Sequence, residues 1–503
     1  MTTATSLSLG ALLRDVPDAI LVDCDPATPI TGVTADSRRV GAGMLFVALA
    51  GGSHDGHAFV PDVIGRGAAA AVVTAQYAAQ QPPAGPHVIV RDTWAALPSI
   101  AAHAHGDPGE SLRLAAVTGT NGKTTTAHLV GAMLRDAGIA HARLGTTGNW
   151  LVDHEDRAAF TTPFPLELQA LLADTRDRGG RCVVMEASSH ALAQARVAPL
   201  RFHGVGLTSF SQDHLDFHRD MDEYLQAKCL LARTYLRDDG IAIAAIDDQP
   251  AAATFLRAAA EHGARAWSAS KRDTAADVVA HEVVFTATGT RARVQTPVGE
   301  LQLDTPLLGP FNLDNVLVAT GLAIALQLPL PTIAAALSRS HGAPGRLEPV
   351  AVEGVRGPVV LVDYAHTPDA VERTLAVLRP LVRGRLHVVL GCGGDRDPSK
   401  RPRMGSIAAR DADVFWATSD NPRTEPPEAI VDAMLAELDD TLRRKVVRES
   451  DRARAIARVI ADAHDDDLVL IAGKGHEDYQ IVGTQKHHFD DREHARDALL
   501  LRC

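Results

Sequence analysis

The chain has 503 residues, 46% of them hydrophobic, a length that predicts about three domains of roughly 150 residues each. Lys and Arg number 50 against 62 Asp and Glu, and the net charge of −12 argues against a protein that coats nucleic acid or adheres to anionic lipid. The five cysteines lack a metal-binding spacing, no apolar run is long enough to span a membrane, and no export signal begins the chain. We therefore expect a cytoplasmic protein without membrane insertion.

The sequence pattern of the first region, residues 1–108, predicts a small α/β domain. Strand-like apolar runs lie among glycine-rich turns at 45–50, 69–74 and 87–90, with a proline-rich connector at 81–86. This region carries no motif as specific as those that follow it.

The most informative segment is residues 117–126, which read VTGTNGKTTT. An apolar run enters a glycine-rich turn, and a helical pattern follows that Gly138 is placed to stop. A strand, a glycine-rich turn and a helix in this order form a phosphate-binding loop, in which backbone N–H groups, Lys123 and the positive end of the helix surround the phosphate. Thr124 can serve as an Mg²⁺ ligand there. The loop departs from the usual GxxxxGK[ST] spacing because Val117 replaces the first glycine. A chance Gly-Lys-Thr in an ordinary turn is the alternative.

Strands and helices alternate through both later regions, which we assign to residues 109–342 and 343–503. Such alternation predicts mostly parallel sheets covered by helices, with ligand groups at the carboxyl ends of the strands. The expected fold is therefore α/β with three domains: a small N-terminal α/β domain, a central P-loop ATPase-like domain and a C-terminal Rossmann-like domain. The predicted strands are 182–185, 204–208, 241–246, 359–362, 386–390, 414–417 and 468–471, and a helix is predicted over 312–326.

Two further segments of the central region carry polar groups. Glu186 follows a strand directly and forms a sensible Mg²⁺ site with Thr124, although it could instead cap the next helix. Residues 210–218 are rich in histidine and precede a helical pattern that contains Lys228. By itself this run could equally be a solvated loop.

Four strand-end loops of the C-terminal region also carry charged groups. Arg396 and Arg423 could hold a carboxylate in forked geometry, while Asp420 and Glu477 could receive an ammonium group. A ligand that is both acidic and amino-bearing, such as an amino acid, fits all four loops. Any one loop taken alone could be an ordinary turn or helix cap.

Eight motifs together resemble the Mur ligase family, the ATP-dependent amino-acid ligases of bacterial peptidoglycan synthesis. They extend over essentially the whole chain, and the shortened phosphate loop is typical of the family. The motifs are residues 118–125, 186–192, 213–216, 224–228, 309–315, 345–348, 363–366 and 420–423.

The resemblance implies a reaction and its catalytic groups. ATP would phosphorylate the terminal carboxylate of a UDP-N-acetylmuramoyl dipeptide, and the amine of an amino acid would attack the acyl phosphate. The implied catalytic residues are Lys123, Glu186, His214 and Lys228, the last as an N6-carboxylysine. Two Mg²⁺ ions are implied, with Thr124, Glu186, His214 and carbamylated Lys228 as ligands. We expect a monomer.

The resemblance also implies binding residues for both nucleotides. The ATP contacts would be Gly119, Thr120, Asn121, Gly122, Lys123, Thr124, Thr125, Asn312, Asn315, Arg346, Asp363 and His366. The UDP-substrate contacts would be Ser37, Arg38 and His54 for the uridine nucleotide, and Thr161, Thr162, Ser188, Gln194 and Arg196 for the muramoyl dipeptide. The pair Ser37 and Arg38 could instead belong to an ordinary turn.

The tetrapeptide at 420–423, Asp-Asn-Pro-Arg, accompanies meso-diaminopimelate in this family. Its arginine would pair with the distal carboxylate of that substrate and repel the ammonium of lysine. The implied contacts are Arg396, Asp420, Asn421, Pro422, Arg423, Gly473 and Glu477. The alternatives are an L-lysine-adding ligase of the same family, a folylpolyglutamate synthetase-like ligase and a non-catalytic nucleotide-binding scaffold.

Overall fold

The computed structural model describes residues 7–51, 54–81 and 85–502, so part of the proline-rich connector and Cys503 lie outside the described residues. The chain divides into two compact units. The first comprises Met1–Ser270, Ala276–Val278 and Val318–Thr332, and the second comprises Lys271–Ala275, Val279–Leu317 and Ile333–Cys503. The first two predicted regions fall largely in the first unit, and the boundaries at 108 and 342 stay a prediction. No helix within the described ranges has the length and apolar character needed to cross a bilayer.

The first unit begins with a five-stranded sheet in the order β2-β7-β6-β5-β4, parallel except at β2, and a two-stranded β1-β3 pair. Buried apolar residues line both faces of the five-stranded sheet. The three strands predicted for this region are confirmed, although β5 ends three residues before its predicted end. The elements are β1 (Leu7–Ser8), α1 (Leu9–Leu13), β2 (Ile20–Val22), β3 (Pro29–Ile30), β4 (Val33–Thr34), β5 (Leu45–Val47), α2 (Val60–Gly65), β6 (Ala70–Thr74), α3 (Ala75–Gln80), β7 (His87–Val90) and α4 (Thr93–Ala104).

A larger sheet follows in the same unit, in the order β11-β10-β9-β12-β8-β13-β14-β15. Strands β9 to β15 in this order are parallel, whereas β10 and β11 form an antiparallel edge. The central strands β8, β12 and β13 are buried almost throughout, which explains their largely apolar sequences. Strand β8 lies between β12 and β13, so the carboxyl ends of these three strands meet. The elements are β8 (Arg113–Thr118), α5 (Lys123–Asp136), β9 (His141–Leu144), β10 (Asn149–Leu151), β11 (His154–Asp156), α6 (Pro165–Asp177), β12 (Cys182–Glu186), α7 (Ser189–Ala193), β13 (Phe202–Leu207), α8 (Met221–Arg233), β14 (Leu236–Ala245), α9 (Pro250–Ala260) and β15 (Arg265–Ser270).

An antiparallel meander opens the second unit, and the sequence analysis missed it. Burial alternates along its last strand, because one face is packed and the other faces solvent. Two helices follow, of which the first begins two residues before its predicted start. The elements are β16 (Val278–Thr286), β17 (Gly289–Thr296), β18 (Gly299–Thr305), α10 (Pro310–Ala325) and α11 (Leu330–Leu337).

The rest of the second unit is a six-stranded sheet in the order β19-β20-β24-β21-β22-β23, parallel except at β19. Helices α12 to α14 cover one face and α16 with α17 the other. The loops after β20, β21, β22 and β24 therefore open at one edge. The elements are β19 (Glu348–Val350), β20 (Val359–Asp363), α12 (Pro368–Leu378), β21 (Leu386–Leu390), α13 (Lys400–Asp411), β22 (Val414–Ala417), α14 (Pro427–Leu435), α15 (Asp440–Arg443), β23 (Val446–Arg448), α16 (Arg452–Asp462), β24 (Leu468–Ala472), β25 (Tyr479–Val482), β26 (Gln485–His488) and α17 (Asp491–Leu500).

Candidate active site

The phosphate loop joins β8 to α5 in the first unit. A Cβ at Gly119 would lie 2.1 Å from Thr208 Oγ1, so only glycine fits there. Gly122 has a φ of +89° and precedes the first residue of α5. The Lys123 ammonium donates to the carbonyl oxygens of Gly119 at 2.8 Å and Thr120 at 3.0 Å. The loop thus has the strand, glycine turn, lysine and helix end that a phosphate site requires.

Neighbouring segments fix the conformation of this loop. Thr120 Oγ1 donates to the carbonyl of Ser211, accepts from its N–H, and lies 3.1 Å from the Tyr224 hydroxyl. The N–H of Asn121 donates to Ser209 Oγ. Burial raises the pKa of Tyr224 to about 12, so its phenol stays neutral.

Glu186, at the end of β12, lies directly beside the phosphate loop and is 1% exposed. Its carboxylate accepts from Thr124 Oγ1 at 3.0 Å, from the Thr146 N–H at 2.8 Å and from Thr146 Oγ1 at 3.2 Å. The next helix, α7, is capped by Ser188 and not by Glu186. The alternative in which Glu186 caps this helix is therefore wrong, and its role as a metal ligand stays a prediction.

Lys228 lies inside the fold on α8 and is 1% exposed. Its ammonium is 4.4 Å from the centre of the Tyr224 ring, and no ion pair joins it to an acidic side chain of the described residues. Burial holds the pKa of Lys228 well below its ordinary range; repulsion from Lys123 adds to this, and Asp213 opposes it. Lys228 is consequently a buried residue and not a lysine of the helix surface, and its burial disfavours the charged form.

The histidine-rich segment packs against α7 and α8. The His214 ring lies 4.8 Å from that of His190 and 6.0 Å from that of Tyr224, and Phe217 lies 4.1 Å from His190. Burial lowers the pKa of both His190 and His214. Of the segment 210–218 only His218 is buried, and residues 212, 213 and 215–217 are exposed, so the segment is compatible both with a solvated loop and with a lining of the site.

The residues expected to hold the muramoyl dipeptide surround Glu186. Thr162 Oγ1 donates to the Glu186 carbonyl and accepts from the Ser188 N–H. Arg196 donates to the carbonyl of Thr162 at 3.1 Å and to Gln194 Oε1 at 2.8 Å. Thr161 Oγ1 lies 3.0 Å from Thr146 Oγ1. The guanidinium of Arg196 also stacks 3.8 Å above the ring of Phe164, a residue that the sequence analysis missed.

The expected uridine contacts lie in exposed turns of the first unit. The exposed Arg38 guanidinium binds the Asp36 carboxylate at 2.9 and 2.8 Å, and this bond lowers the pKa of Asp36 to about 2. Ser37 begins the same short 3-10 turn, and His54 is exposed at the chain surface. This geometry is compatible both with an ordinary turn and with a nucleotide contact.

The expected ATP contacts of the second unit form two groups. Asn312 and Asn315, both buried at the start of α10, are joined by a 3.2 Å hydrogen bond, and Asn312 Nδ2 donates to the carbonyl of Leu308. At the end of β20, Asp363 accepts from the N–H groups of Leu347 and Ala365.

Arg346 and His366 lie on either side of Asp363 in the sequence and both contact Tyr364. The Arg346 guanidinium is 4.7 Å from the ring centre, and His366 Nδ1 is 2.7 Å from the Tyr364 carbonyl oxygen. Burial raises the pKa of Asp363, with Arg346 opposing that shift. The structure thus brings these three residues to one strand end.

The expected amino-acid contacts also lie together in the second unit, where one side carries two arginines. A Cβ at Gly393 would be 3.1 Å from an Arg423 guanidinium nitrogen and 3.5 Å from Arg396 Cγ. One Arg423 nitrogen donates to the carbonyl of Gly394 at 2.8 Å, and the Pro422 carbonyl approaches Gly394 closely enough to exclude any side chain there. Arg396 is exposed.

Carboxylates and an amide form the other side of this group. Asn421 Nδ2 donates to Glu477 Oε2 at 2.9 Å. Asp420 is 8% exposed, burial raises its pKa, and its carboxylate faces Gly473, where a Cβ would lie 2.6 Å from Oδ2. Lys474, fully buried between two glycines, also contacts Glu477 at 3.3 Å, and the sequence analysis missed it.

The sequence matches profiles of one family along most of its length. Residues 29–104 match the Mur ligase family catalytic domain, residues 117–323 the Mur ligase middle domain, and residues 345–475 the Mur ligase glutamate ligase domain. These matches follow the order of the three predicted regions.

Individual relatives match nearly end to end. The UDP-N-acetylmuramoyl-L-alanyl-D-glutamate–2,6-diaminopimelate ligase of Gloeobacter violaceus is 46% identical over 478 residues, 95% of each chain. That of Parasynechococcus marenigrum is 45% identical over 503 residues, 98% of this chain and 99% of the relative. A solved structure of a ligase with this name has a TM-score of 0.77 at 29% identity and covers 99% of both chains. A folylpolyglutamate synthase of Mycobacterium tuberculosis shares only the fold, with a TM-score of 0.58 at 19% identity over 75% of this chain. The chain belongs to the Mur ligase family.

Proposed function

We propose that this protein is the ATP-dependent ligase that adds meso-diaminopimelate to UDP-N-acetylmuramoyl-L-alanyl-D-glutamate in cytoplasmic peptidoglycan precursor synthesis. ATP phosphorylates the terminal carboxylate of the dipeptide, the amine of diaminopimelate attacks the acyl phosphate, and phosphate leaves. Relatives that carry this name match almost the whole chain, which supports the assignment.

Positioning and charge neutralisation by the phosphate loop drive the first step. The Lys123 ammonium exchanges its two loop carbonyls for phosphate oxygens. The N–H groups from Gly122 to Thr125 bind the remaining oxygens, because those of Thr120 and Asn121 already donate to Ser209. The amino end of α5 adds its positive dipole. No covalent nucleophile of the protein is needed.

The residues beside the loop fit Mg²⁺. Thr124 and Glu186 offer adjacent oxygens, the ligand type that Mg²⁺ prefers. Within the described ranges no group of three or more His, Cys, Asp or Glu side chains is spaced for a metal. A carboxylate on Lys228, which lies near enough to His214 to influence its pKa, would supply a further oxygen ligand for a second ion. When bound, Mg²⁺ neutralises charge on the transferring phosphoryl group.

Carbamylation gives Lys228 that carboxylate. The neutral amine attacks dissolved CO₂, an N–C bond forms, and the lost proton passes to solvent. Burial disfavours the ammonium form of Lys228 and so favours the nucleophilic amine, and a bound Mg²⁺ would offset the negative charge of the carbamate.

The observation that carries the substrate assignment is that Arg396 and Arg423 both lie beside Gly393, while Asn421 of the same loop as Arg423 binds Glu477. The arginines fit the distal carboxylate of diaminopimelate, and Glu477 fits an ammonium group. The distal ammonium of L-lysine would meet positive charge instead, so the lysine-adding ligase is the second candidate.

Phosphate release from ATP, measured with the UDP-dipeptide and a panel of amino acids, tests the proposal. The panel contains meso-diaminopimelate, its LL isomer and L-lysine, and a parallel reaction offers a folate with glutamate. We expect turnover with meso-diaminopimelate and a kcat/KM for L-lysine lower by at least about 100-fold. A preference for L-lysine would overturn the substrate, and a lack of release in every reaction would favour the non-catalytic scaffold.

A further inference from the structure

In the hairpin formed by β25 and β26, some main-chain N–H and C=O groups of β25 do not bond to β26. Tyr479 pairs with His488 and Val482 with Gln485, and antiparallel partners alternate between hydrogen-bonded and non-hydrogen-bonded pairs. Ile481 forms a non-hydrogen-bonded pair with Lys486, because both main-chain groups of Ile481 bind elsewhere. The outer edge of β25 is therefore free to bind another segment.

That segment is the Asp-Asn-Pro-Arg loop. The Ile481 carbonyl accepts from the Arg423 N–H at 3.0 Å, and the Gly483 N–H donates to the Arg423 carbonyl at 2.7 Å. Arg423 has a φ of +52°, which a residue with a side chain rarely adopts. Hydrogen bonds on both sides of Arg423 hold it in this conformation, and its guanidinium is thereby directed to Gly394.

The same strand orients Asn421. The Ile481 N–H donates to Asn421 Oδ1 at 3.0 Å, and the buried Lys474 ammonium lies 3.4 Å from that oxygen. Because both donors contact the amide oxygen, the orientation of the Asn421 amide is fixed and Nδ2 donates to Glu477 Oε2. The same Glu477 oxygen also accepts from Lys474. Within the described residues, Glu477 Oε1 has no hydrogen bond and remains available to a ligand.

Two side-chain and main-chain contacts complete the attachment. Gln480 Nε2 donates to the carbonyl of Asp420 at 2.7 Å, and Lys474 donates to the carbonyl of Tyr479. Strand β25 thus contacts Asp420, Asn421 and Arg423 in turn.

We propose that the β25–β26 hairpin is a positioning element of the amino-acid site. This inference rests on the function proposed above. Ile481 and Gln480 act through the Asp-Asn-Pro-Arg loop and need not touch the substrate. A site that recognises two charged ends of one molecule loses affinity when its groups shift by a fraction of an ångström. Loosening the hairpin should therefore weaken binding of the amino acid selectively.

The test uses Ile481→Pro with Ile481→Val as its matched control. Proline removes only the N–H bound to Asn421, which is not part of the β25–β26 ladder, whereas valine retains it. We expect Ile481→Pro to raise the KM for diaminopimelate about 3- to 10-fold, with the KM values for ATP and the UDP-dipeptide within about twofold and Ile481→Val near wild type.

Gln480→Leu is the second variant, since it removes the bond to Asp420 and leaves the main chain intact. It should raise the same KM, and it decides the question if Ile481→Pro fails to fold. An unchanged KM for diaminopimelate in the folded variants, or an equal rise in all three KM values with a lower melting temperature, would overturn the proposal. Should the wild type prefer another amino acid, the proposed substrate fails, and the hairpin is tested on the KM of that amino acid instead.

Discussion

Lys123 and Lys228 are residues of one type whose chemical properties differ because their burial differs. Lys123 is half-buried and its ammonium donates to two loop carbonyls, whereas Lys228 is enclosed and its pKa is strongly lowered. One side chain therefore suits an anion, and the other suits reaction with an electrophile.

Lys123→Ala should lower turnover at least about 10²- to 10³-fold, because it removes the positive charge nearest the transferring phosphoryl group. The melting temperature should change little, since Lys123 is only partly buried. Steady-state phosphate release measures the effect, with Arg135→Ala at the exposed far end of α5 as the control. Near-normal turnover by folded Lys123→Ala protein would refute the role of this lysine.

Lys228→Ala should lose most activity, and a small carboxylate such as acetate should restore part of it by filling the vacated position. Wild-type turnover should fall in buffer depleted of CO₂ and recover with bicarbonate. A crystal with nucleotide and metal gives the direct measurement. A plain ammonium on Lys228 in that density map would contradict the carbamate.

Arg423→Ala should raise the KM for diaminopimelate about 30-fold to several thousand-fold, since an unpaired carboxylate costs roughly 2 to 5 kcal/mol. The KM for ATP should stay nearly unchanged, and discrimination against L-lysine should relax. The exposed Arg444→Ala provides a control that removes an arginine elsewhere in the second unit. Unaltered diaminopimelate kinetics would remove Arg423 from the site.

At the scale of elements, one buried ion pair joins α16, α17 and two strand ends. Arg452 binds both carboxylate oxygens of Asp491 at 2.7 and 2.6 Å and donates to the carbonyls of Ser419 and Ala472. Both side chains are fully buried. The pair therefore holds the C-terminal helix to the ends of β22 and β24.

Arg452→Met should lower the free energy of unfolding by about 3 to 5 kcal/mol, because it leaves Asp491 buried without a partner. The double replacement Arg452→Met with Asp491→Leu should cost much less. Urea unfolding measures both proteins. A single variant as stable as the double variant would show that Asp491 finds another partner.

The sequence predicted the strands whose residues are buried on both faces. It missed exposed strands and contacts between residues that are far apart in the sequence. Strand β21 has the predicted bounds because five consecutive apolar or buried residues form it. Strand β26 is exposed throughout and has no apolar pattern to reveal it. Motifs located Glu186 and Arg423, but contacts such as Arg452 with Asp491 join residues that no local spacing connects.

At the scale of the whole molecule, buried and half-buried histidines link stability to pH. Burial is the main cause of the lowered pKa of each member of the group His105, His141, His203, His387 and His476. The unfolded chain, with histidine pKa values near about 6.5, binds protons that the folded chain refuses. Their contribution is present above that value and is lost as pH falls toward the folded pKa values.

The melting temperature should therefore be lower at about pH 5.5 than at about pH 7.5. Exposed His488, whose pKa is raised by Glu493, acts in the opposite direction but is solvent-screened. Differential scanning fluorimetry across this range measures the trend. A melting temperature that rises on acidification would contradict it.

Strand β24 lies between β20 and β21 although it is made long after both. On the ribosome, the nascent second unit must therefore hold an open slot until Leu468–Ala472 emerges. Two unpaired strand edges flank that slot, and such edges invite pairing with other chains. The amino-acid site, built from loops on either side, is thus completed last in synthesis, and a chain truncated before β24 should aggregate rather than bind substrate.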